Sequence, residues 1–215
     1  PTNKEMFAAT LFAKYIDKPI ERTVQASATG SGQTITYYNN KNATLFGAEF
    51  EFLLQLSRIN ENLEGLSFGL NTSLMLTEAT VNKNRPGYFD TFEKRDLQGA
   101  SNWLLNSDLK YEFNLGENCK NTTSLVYNVY GERIYAVGIA GNDHIYEKPF
   151  HKLDFVWGSN INKAWDIKFS VDNILNPLYK RELGEDSKIS IDESSLLLQS
   201  YKKGVGFSTS VSYTF

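Results

Sequence analysis

Hydrophobic and polar residues alternate along most of this chain. In AWDIKFSVDNIL, Trp165, Ile167, Phe169, Val171 and Leu175 fall on one face, and Asp166, Lys168, Ser170 and Asp172 on the other. In SNWLLNSDLKYEFN, Trp103, Leu105, Leu109, Tyr111 and Phe113 oppose Asn102, Asn106, Asp108, Lys110 and Glu112. Leu66, Phe68, Leu70, Leu74 and Leu76 oppose Ser67, Gly69, Asn71, Ser73 and Thr77. Phe46, Ala48, Phe50, Phe52, Leu54 and Leu56 oppose Gly47, Glu49, Glu51 and Gln55. Leu153, Phe155, Trp157 and Ile161 oppose Lys152, Asp154 and Asn160. Leu125, Tyr127 and Val129 share a face, whereas MFAATLFAKYI is apolar on both sides. The chain closes on FSTSVSYTF, with Phe207, Thr209, Val211, Tyr213 and Phe215 opposite Ser208, Ser210, Ser212 and Thr214. A period of two is the signature of a strand with two unlike faces.

The pattern predicts roughly eight strands, centred near residues 11, 45, 72, 107, 128, 155, 170 and 207. Most run to about 11 residues or more, against a usual globular length of roughly 5 or 6. A tilted strand needs about 9 to 11 residues to cross a bilayer. The connections alternate between long ones, over approximately 17–32, 80–99, 136–148 and 177–195, and short ones near 57–64, 115–120 and 161–163. Outer-membrane barrels have this asymmetry, with short periplasmic turns and long extracellular loops. Phe113, Trp165, Tyr213 and Phe215 fall near the short-turn ends, where interfacial aromatics belong. A soluble antiparallel sheet alternates in the same way; strand length, loop asymmetry and the terminal aromatic favour the membrane.

Composition narrows the choice further. The 215 residues carry 22 Lys and Arg against 25 Asp and Glu, a net charge of -3, which gives no reason to expect a nucleic-acid partner. One cysteine, Cys119, leaves no internal disulfide. No run approaches the roughly 20 apolar residues of a membrane helix, but closed barrels also span bilayers. The start, PTNKEMFAATLF, does not read as a signal peptide, so either the signal has been removed or residue 1 is not the natural start.

Several segments resemble one family. YYNNKNATLFGAEFEF, residues 37–52, resembles the "N…A…G-x-E-x-E" strand of TonB-dependent outer-membrane transporters. FSVDNILNPLYKRE, residues 169–182, resembles that family's penultimate strand with its "N-L-x-N-P-x-Y" ending. LFAKYIDKPIE, VYNVYGERIYAVG and GFSTSVSYTF are similar to further barrel segments, in the style of the Bacteroidota branch. The resemblance covers essentially the whole chain. It implies an all-β fold, an antiparallel transmembrane β-barrel of roughly 22 strands with a plugged lumen. Residues 1–215 would be the C-terminal part of that one barrel domain, about its last eight strands. The plug and the earlier strands have no counterpart here. The implied function is active import of a glycan, peptide or metal chelate across a bacterial outer membrane, with no enzyme activity and no cofactor.

The resemblance also implies the partners: the remainder of the barrel and its plug, TonB through an N-terminal region absent from this sequence, the barrel-assembly machinery, lipid or lipopolysaccharide, and a surface lipoprotein. Phe207, Thr209, Val211, Tyr213 and Phe215 match the family's terminal assembly signal on the barrel-closing strand. Both ends of the segment are expected at the periplasmic side. Two other roles fit the same strands: a structural barrel subunit of an outer-membrane assembly or secretion complex, and a standalone eight-stranded barrel.

No catalytic constellation is present. There is no G-x-S-x-G, P-loop or Cys-x-x-Cys, and Asp143 beside His144 is too little for a metal site. The long connections are the better functional candidates. NKNRPGYFDTFEKRDLQGA holds Arg85, Tyr88, Phe89, Phe92 and Arg95, and GNDHIYEKPF holds His144 and Tyr146. Aromatic and charged tips of this kind suit ligand capture or docking of a lipoprotein lid.

Overall fold

A computed structural model describes residues 5–26, 33–84, 92–139, 143–184 and 197–215. Among these, the chain is all-β and antiparallel but for one pairing. In chain order the strands are β1 (Met6–Asp17), β2 (Ile20–Ala26), β3 (Gln33–Asn39), β4 (Asn42–Gln55) and β5 (Leu66–Thr80). There follow β6 (Lys94–Arg95), β7 (Trp103–Asn114), β8 (Cys119–Tyr130), β9 (Arg133–Gly138) and β10 (Ile145–Glu147). The last are β11 (Lys152–Ile161), β12 (Trp165–Asp172), β13 (Leu178–Leu183), β14 (Leu197–Lys202) and β15 (Gly206–Tyr213).

The larger sheet runs β1-β4-β5-β7-β8-β11-β12-β15, with the two-residue β6 appended to β5. These eight long strands are those expected from the alternation. Short turns join β4 to β5, β7 to β8 and β11 to β12 along one edge. The last is a three-residue connection, 162–164, in which Asn162 and Lys163 both take positive φ, 54° and 58°; that conformation matches the strand twist. Met6 pairs with Leu53, and Tyr213 with Trp165, so both ends of the sheet's path lie at this short-turn edge. The sheet is open: β1 pairs only with β4, and β15 only with β12. No closed barrel is formed among the described residues.

The register decides which residues share a face. Leu11 sits opposite Ala48, Phe46 opposite Leu76, Leu74 opposite Trp103 and Leu109 opposite Leu125. Leu125 in turn faces Phe155, Phe155 faces Val171, and Val171 faces Phe207. The apolar sides of all eight strands therefore merge into one continuous surface. Asp17, Glu78 and, on the appended β6, Lys94 are its only charged residues among the described positions, all at the long-connection edge. Nothing in the described chain covers it: Leu11 is 86% exposed, Leu76 74% and Phe207 71%. The opposite face is polar. There Asn71 donates to Glu49 at 3.0 Å and Asn106 to Asn71 at 3.4 Å, while the Ser170 and Ser208 hydroxyls lie 2.7 Å apart.

Three of the four long connections contain more order than a loop reading allows. The segments expected as loops instead hold β2, the end of β9 with β10, and β13, which join β3 and β14, just beyond the expected loops, in a second sheet ordered β14-β13-β10-β9-β2-β3. The fourth contributes β6. The physical reason is local. These strands are short, and β9 is buried on both faces, so it carries no alternation. The joint between β2 and β9 is the one parallel pairing. The fully buried apolar residues collect in and around this second sheet, with Val24, Ala136 and Ile145 packed against Tyr135 and Leu183.

Candidate functional site

The second sheet gathers the long connections over the polar face of the larger one, and its anchor is a buried ion pair. Arg95 on β6 donates from both terminal nitrogens to the Glu21 carboxylate on β2, at 2.9 and 2.8 Å. The backbone N–H of Gln98 adds a third donor at 3.1 Å, and the Asn40 amide a fourth. Glu21 is 1% exposed. A buried carboxylate persists only when its charge and lone pairs are met in this way. Gln98 extends the brace: its amide bonds both the N–H and the carbonyl of Arg22 at 2.7 Å, and the Tyr135 carbonyl at 3.0 Å. One side chain thus ties β2 to β9.

Of the sequence-derived loop residues, Arg85, Tyr88 and Phe89 lie outside the described residues. The structure brings Phe92, His144 and Tyr146 together. The Phe92 and His144 rings are 4.8 Å apart, and the His144 and Tyr146 rings 6.0 Å. His144 is buried, and the Gly138 N–H donates to its Nδ1 at 3.1 Å. Only an unprotonated nitrogen accepts that bond. Burial, and after it the Arg95 charge, push the imidazole down to about 4. Arg95 is inside the fold, its charge met by Glu21. Phe207, Thr209, Val211 and Tyr213 lie on the apolar face of β15, and Phe215 follows its end. The Tyr213 ring is 4.7 Å from Trp165 and 5.0 Å from Phe215, an aromatic cluster at the short-turn edge.

A larger feature was not singled out from the sequence. A cavity of about 760 Å³ lies between the second sheet and the upper part of the polar face, where Asn128 and Lys152 line it. Arg22, Arg133, Arg181 and Lys203 also line it, and Glu147 is the single acid among the described lining residues. Glu147 belongs to Arg133, at 2.9 Å, and also accepts from the Tyr130 hydroxyl. Burial alone would raise the Glu147 carboxyl, but the Arg133 and Tyr130 hydrogen bonds hold it below the usual carboxylate range. Lys152 pairs with Asp154 at 2.6 Å.

The remaining three cations, Arg22, Arg181 and Lys203, have no carboxylate partner among the described residues. Aromatic rings hold them instead. The Arg22 and Arg181 guanidinium carbons lie 3.6 and 3.4 Å from the centroid of the same Tyr135 ring. The Lys203 ammonium is 4.4 Å from the Phe150 ring and 4.8 Å from Tyr179. Two guanidinium groups on one ring are within about 7 Å of each other, where their repulsion is about 2 kcal/mol at an effective dielectric of 20. Cation–π attraction of about 0.5–2 kcal/mol each offsets it. The arrangement concentrates positive charge in a half-enclosed space, which favours anions.

A sequence signal for this cluster existed. Arg133-Ile134-Tyr135, Tyr179-Lys180-Arg181 and Tyr201-Lys202-Lys203 each put a cation and a tyrosine two residues apart, on one face of a strand in the first two and across the end of β14 in the third. No protein-family model, curated protein or solved structure matches this chain.

Proposed function

We propose that this chain forms the C-terminal sector of a transmembrane β-barrel in a bacterial outer membrane, and that the whole barrel is a TonB-dependent importer. The observation that carries the membrane half is the uncovered apolar face, continuous over eight strands and free of charge except at the long-connection edge. In water such a face would need a second layer; lipid supplies one. On β5 the apolar positions from Leu66 to Leu76 cover about 33 Å along the strand at ~3.3 Å per residue. With the usual barrel tilt of ~40°, that is about 25 Å of height, the apolar band of an outer-membrane barrel. The second sheet would then stand at the extracellular side, and Met6 and Phe215 at the periplasmic side.

The free edges of β1 and β15 support a sector over a closed eight-stranded barrel, in which those two strands would pair. Unpaired backbone in lipid costs several kcal/mol per group, so further strands have to complete the wall. The transport half rests on the motifs of residues 37–52, 169–182 and 206–215, which fall on β3 and β4, on β12 and its exit into β13, and on β15. The chain's share of the mechanism is non-covalent. It provides wall, extracellular surface and a terminal strand, Phe207 to Phe215, for closure and assembly. Capture by plug and loops is followed by TonB-driven movement of the plug.

The test is the intact mass and N-terminal sequence of the detergent-extracted polypeptide that contains these residues. The expected mass is several times 24.4 kDa, with a plug and a TonB-contacting segment ahead of the barrel. A large barrel lacking both would replace import with a scaffold role. A mass near 24.4 kDa, with heat-modifiable gel mobility, would leave a small standalone barrel.

A further inference from the structure

We infer that the cavity bounded by Arg22, Tyr135, Arg181 and Lys203 binds a small polyanion, a ligand carrying two or more carboxylate, sulfate or phosphate groups on a frame about the size of a disaccharide. That this ligand is cargo rests on the import reading above; that it binds does not.

Charge is the first argument. Among the described residues five cations and one acid line the cavity, and that acid is already committed to Arg133. Arg22, Arg181 and Lys203 remain without a carboxylate among the described residues. Assembly is the second. The three come from β2, from β13 and from the residue after β14, and only the pairing of the long connections brings them together. Like charges converge at a cost, which an oxyanion ligand would remove.

Pre-organisation is the third. Arg22 is fixed by its bonds to the Tyr135 carbonyl at 2.7 and 3.3 Å, and Arg181 by Tyr179 at 3.1 Å and Gln199 at 2.7 Å. These bonds use only part of each guanidinium fork, whose planar N–H pairs match oxyanions bidentately. Tyr135 has Arg22 and Arg181 over its ring, so the ring serves to place charge. Charged groups on the ligand are therefore what the site reads.

Location and size define the ligand further. The cavity is lined by Asn128 and Lys152 on the polar face, opposite the apolar surface. A lipid headgroup at that apolar surface does not reach it, so the ligand arrives through water. About 760 Å³ is the volume of a small-molecule site. The other clusters are closed by comparison: Glu49, Asn71 and Asn106 satisfy one another, and His144 is capped by Gly138.

The experiment is calorimetric titration of the full-length protein in detergent at low salt with four probes. These are digalacturonate, a disulfated heparin disaccharide, inorganic pyrophosphate and neutral maltose. At least one charged probe is expected to bind, with affinity falling as salt rises, and maltose is not. Which charged probe binds best identifies carboxylate, sulfate or phosphate as the group read. Arg22→Gln and Arg181→Gln are each expected to weaken binding roughly tenfold or more. Arg181→Lys should recover part of the loss. Lys94→Gln, whose partner Glu78 is on the apolar side, should change nothing. If Arg22→Gln does not fold, Arg181→Gln carries the comparison, since its bonds are to side chains alone.

Failure of all three charged probes to bind overturns the inference. So does binding that ignores both arginine substitutions. Uptake of the radiolabelled probe by cells is scored separately. Binding without TonB-dependent uptake defeats the import reading and leaves the site standing. TonB-dependent uptake of maltose, with no charged probe bound, does the reverse.

Discussion

Replacing Arg95 with methionine should loosen the second sheet without disturbing the larger one. Arg95 and Glu21 are almost wholly buried, at 3% and 1% side-chain exposure. Removing the guanidinium deletes two charge-assisted hydrogen bonds and strands a carboxylate that keeps only the Gln98 N–H and the Asn40 amide. Breaking a buried pair from one side costs about 3–5 kcal/mol. The two surviving donors place this case near ~3 kcal/mol. The sheet holds the buried apolar core, so the loss should appear as local opening. Hydrogen exchange on 20–26 and 133–138, in detergent or nanodiscs, is the assay. Roughly 150-fold faster exchange corresponds to ~3 kcal/mol. The double variant Glu21→Met, Arg95→Met removes both charges and should recover part of the loss, giving a coupling of about 2 kcal/mol. Acceleration below about threefold in Arg95→Met, or strictly additive losses in the double variant, would refute a pair that anchors the sheet.

Three further outcomes are expected. His144 has a folded-state value of about 4 against ~6.5 unfolded, so the unfolded chain binds the proton first. The second sheet should lose up to about 3 kcal/mol as pH falls from ~6.5 to ~4, and none above it; an NMR titration of the His144 imidazole near 6.5 would contradict this. A Cβ on Gly131 would sit 2.6 Å from the Trp103 indole nitrogen and 2.9 Å from a neighbouring ring carbon. Gly131→Ala should therefore cost about 1–3 kcal/mol by overpacking, and Trp103→Leu should rescue it; equal melting of Gly131→Ala and the parent would count against that close approach. Ile167→Lys, on the apolar face, should cost ~2–4 kcal/mol in bilayers, while Ser212→Lys, exposed on the polar face opposite Asp166, costs little; equal effects in refolding titrations would argue that both faces meet water.

The larger sheet was legible because each of its strands is long and has two unlike faces. Even MFAATLFAKYI, apolar on both sides, has a reason in the register: Phe12 sits opposite Gly47 and lays its ring over that glycine on the more polar face. The second sheet was not legible. β10 has three residues, and β9 buries Ile134, Ala136, Val137 and Gly138, so neither shows a period of two. Its pairing joins residues over a hundred positions apart, Thr23 with Val137, which local pattern does not encode. The same holds for the site. Phe92, His144 and Tyr146 stood out as aromatic loop residues because they are close in sequence to turn formers. Glu21 gave no sign of burial, because a carboxylate is buried only where the fold delivers a partner. Arg22, Arg181 and Lys203 converge only after β2, β9, β10, β13 and β14 have paired.

The most direct measurement is a nitroxide scan of β12 and β15 in bilayers. Cys119, the one cysteine in this sequence, is first changed to serine, and single cysteines are placed at consecutive positions from Ile167 to Val171 and from Phe207 to Val211. Collision rates with oxygen, which concentrates in lipid, and with a nickel chelate, which remains in water, are then compared. Labels at 167, 169, 171, 207, 209 and 211 should favour oxygen, and those at 168, 170, 208 and 210 should not, with a period of two. Uniform access to the nickel chelate, or the opposite phase, would mean that the apolar face does not meet lipid.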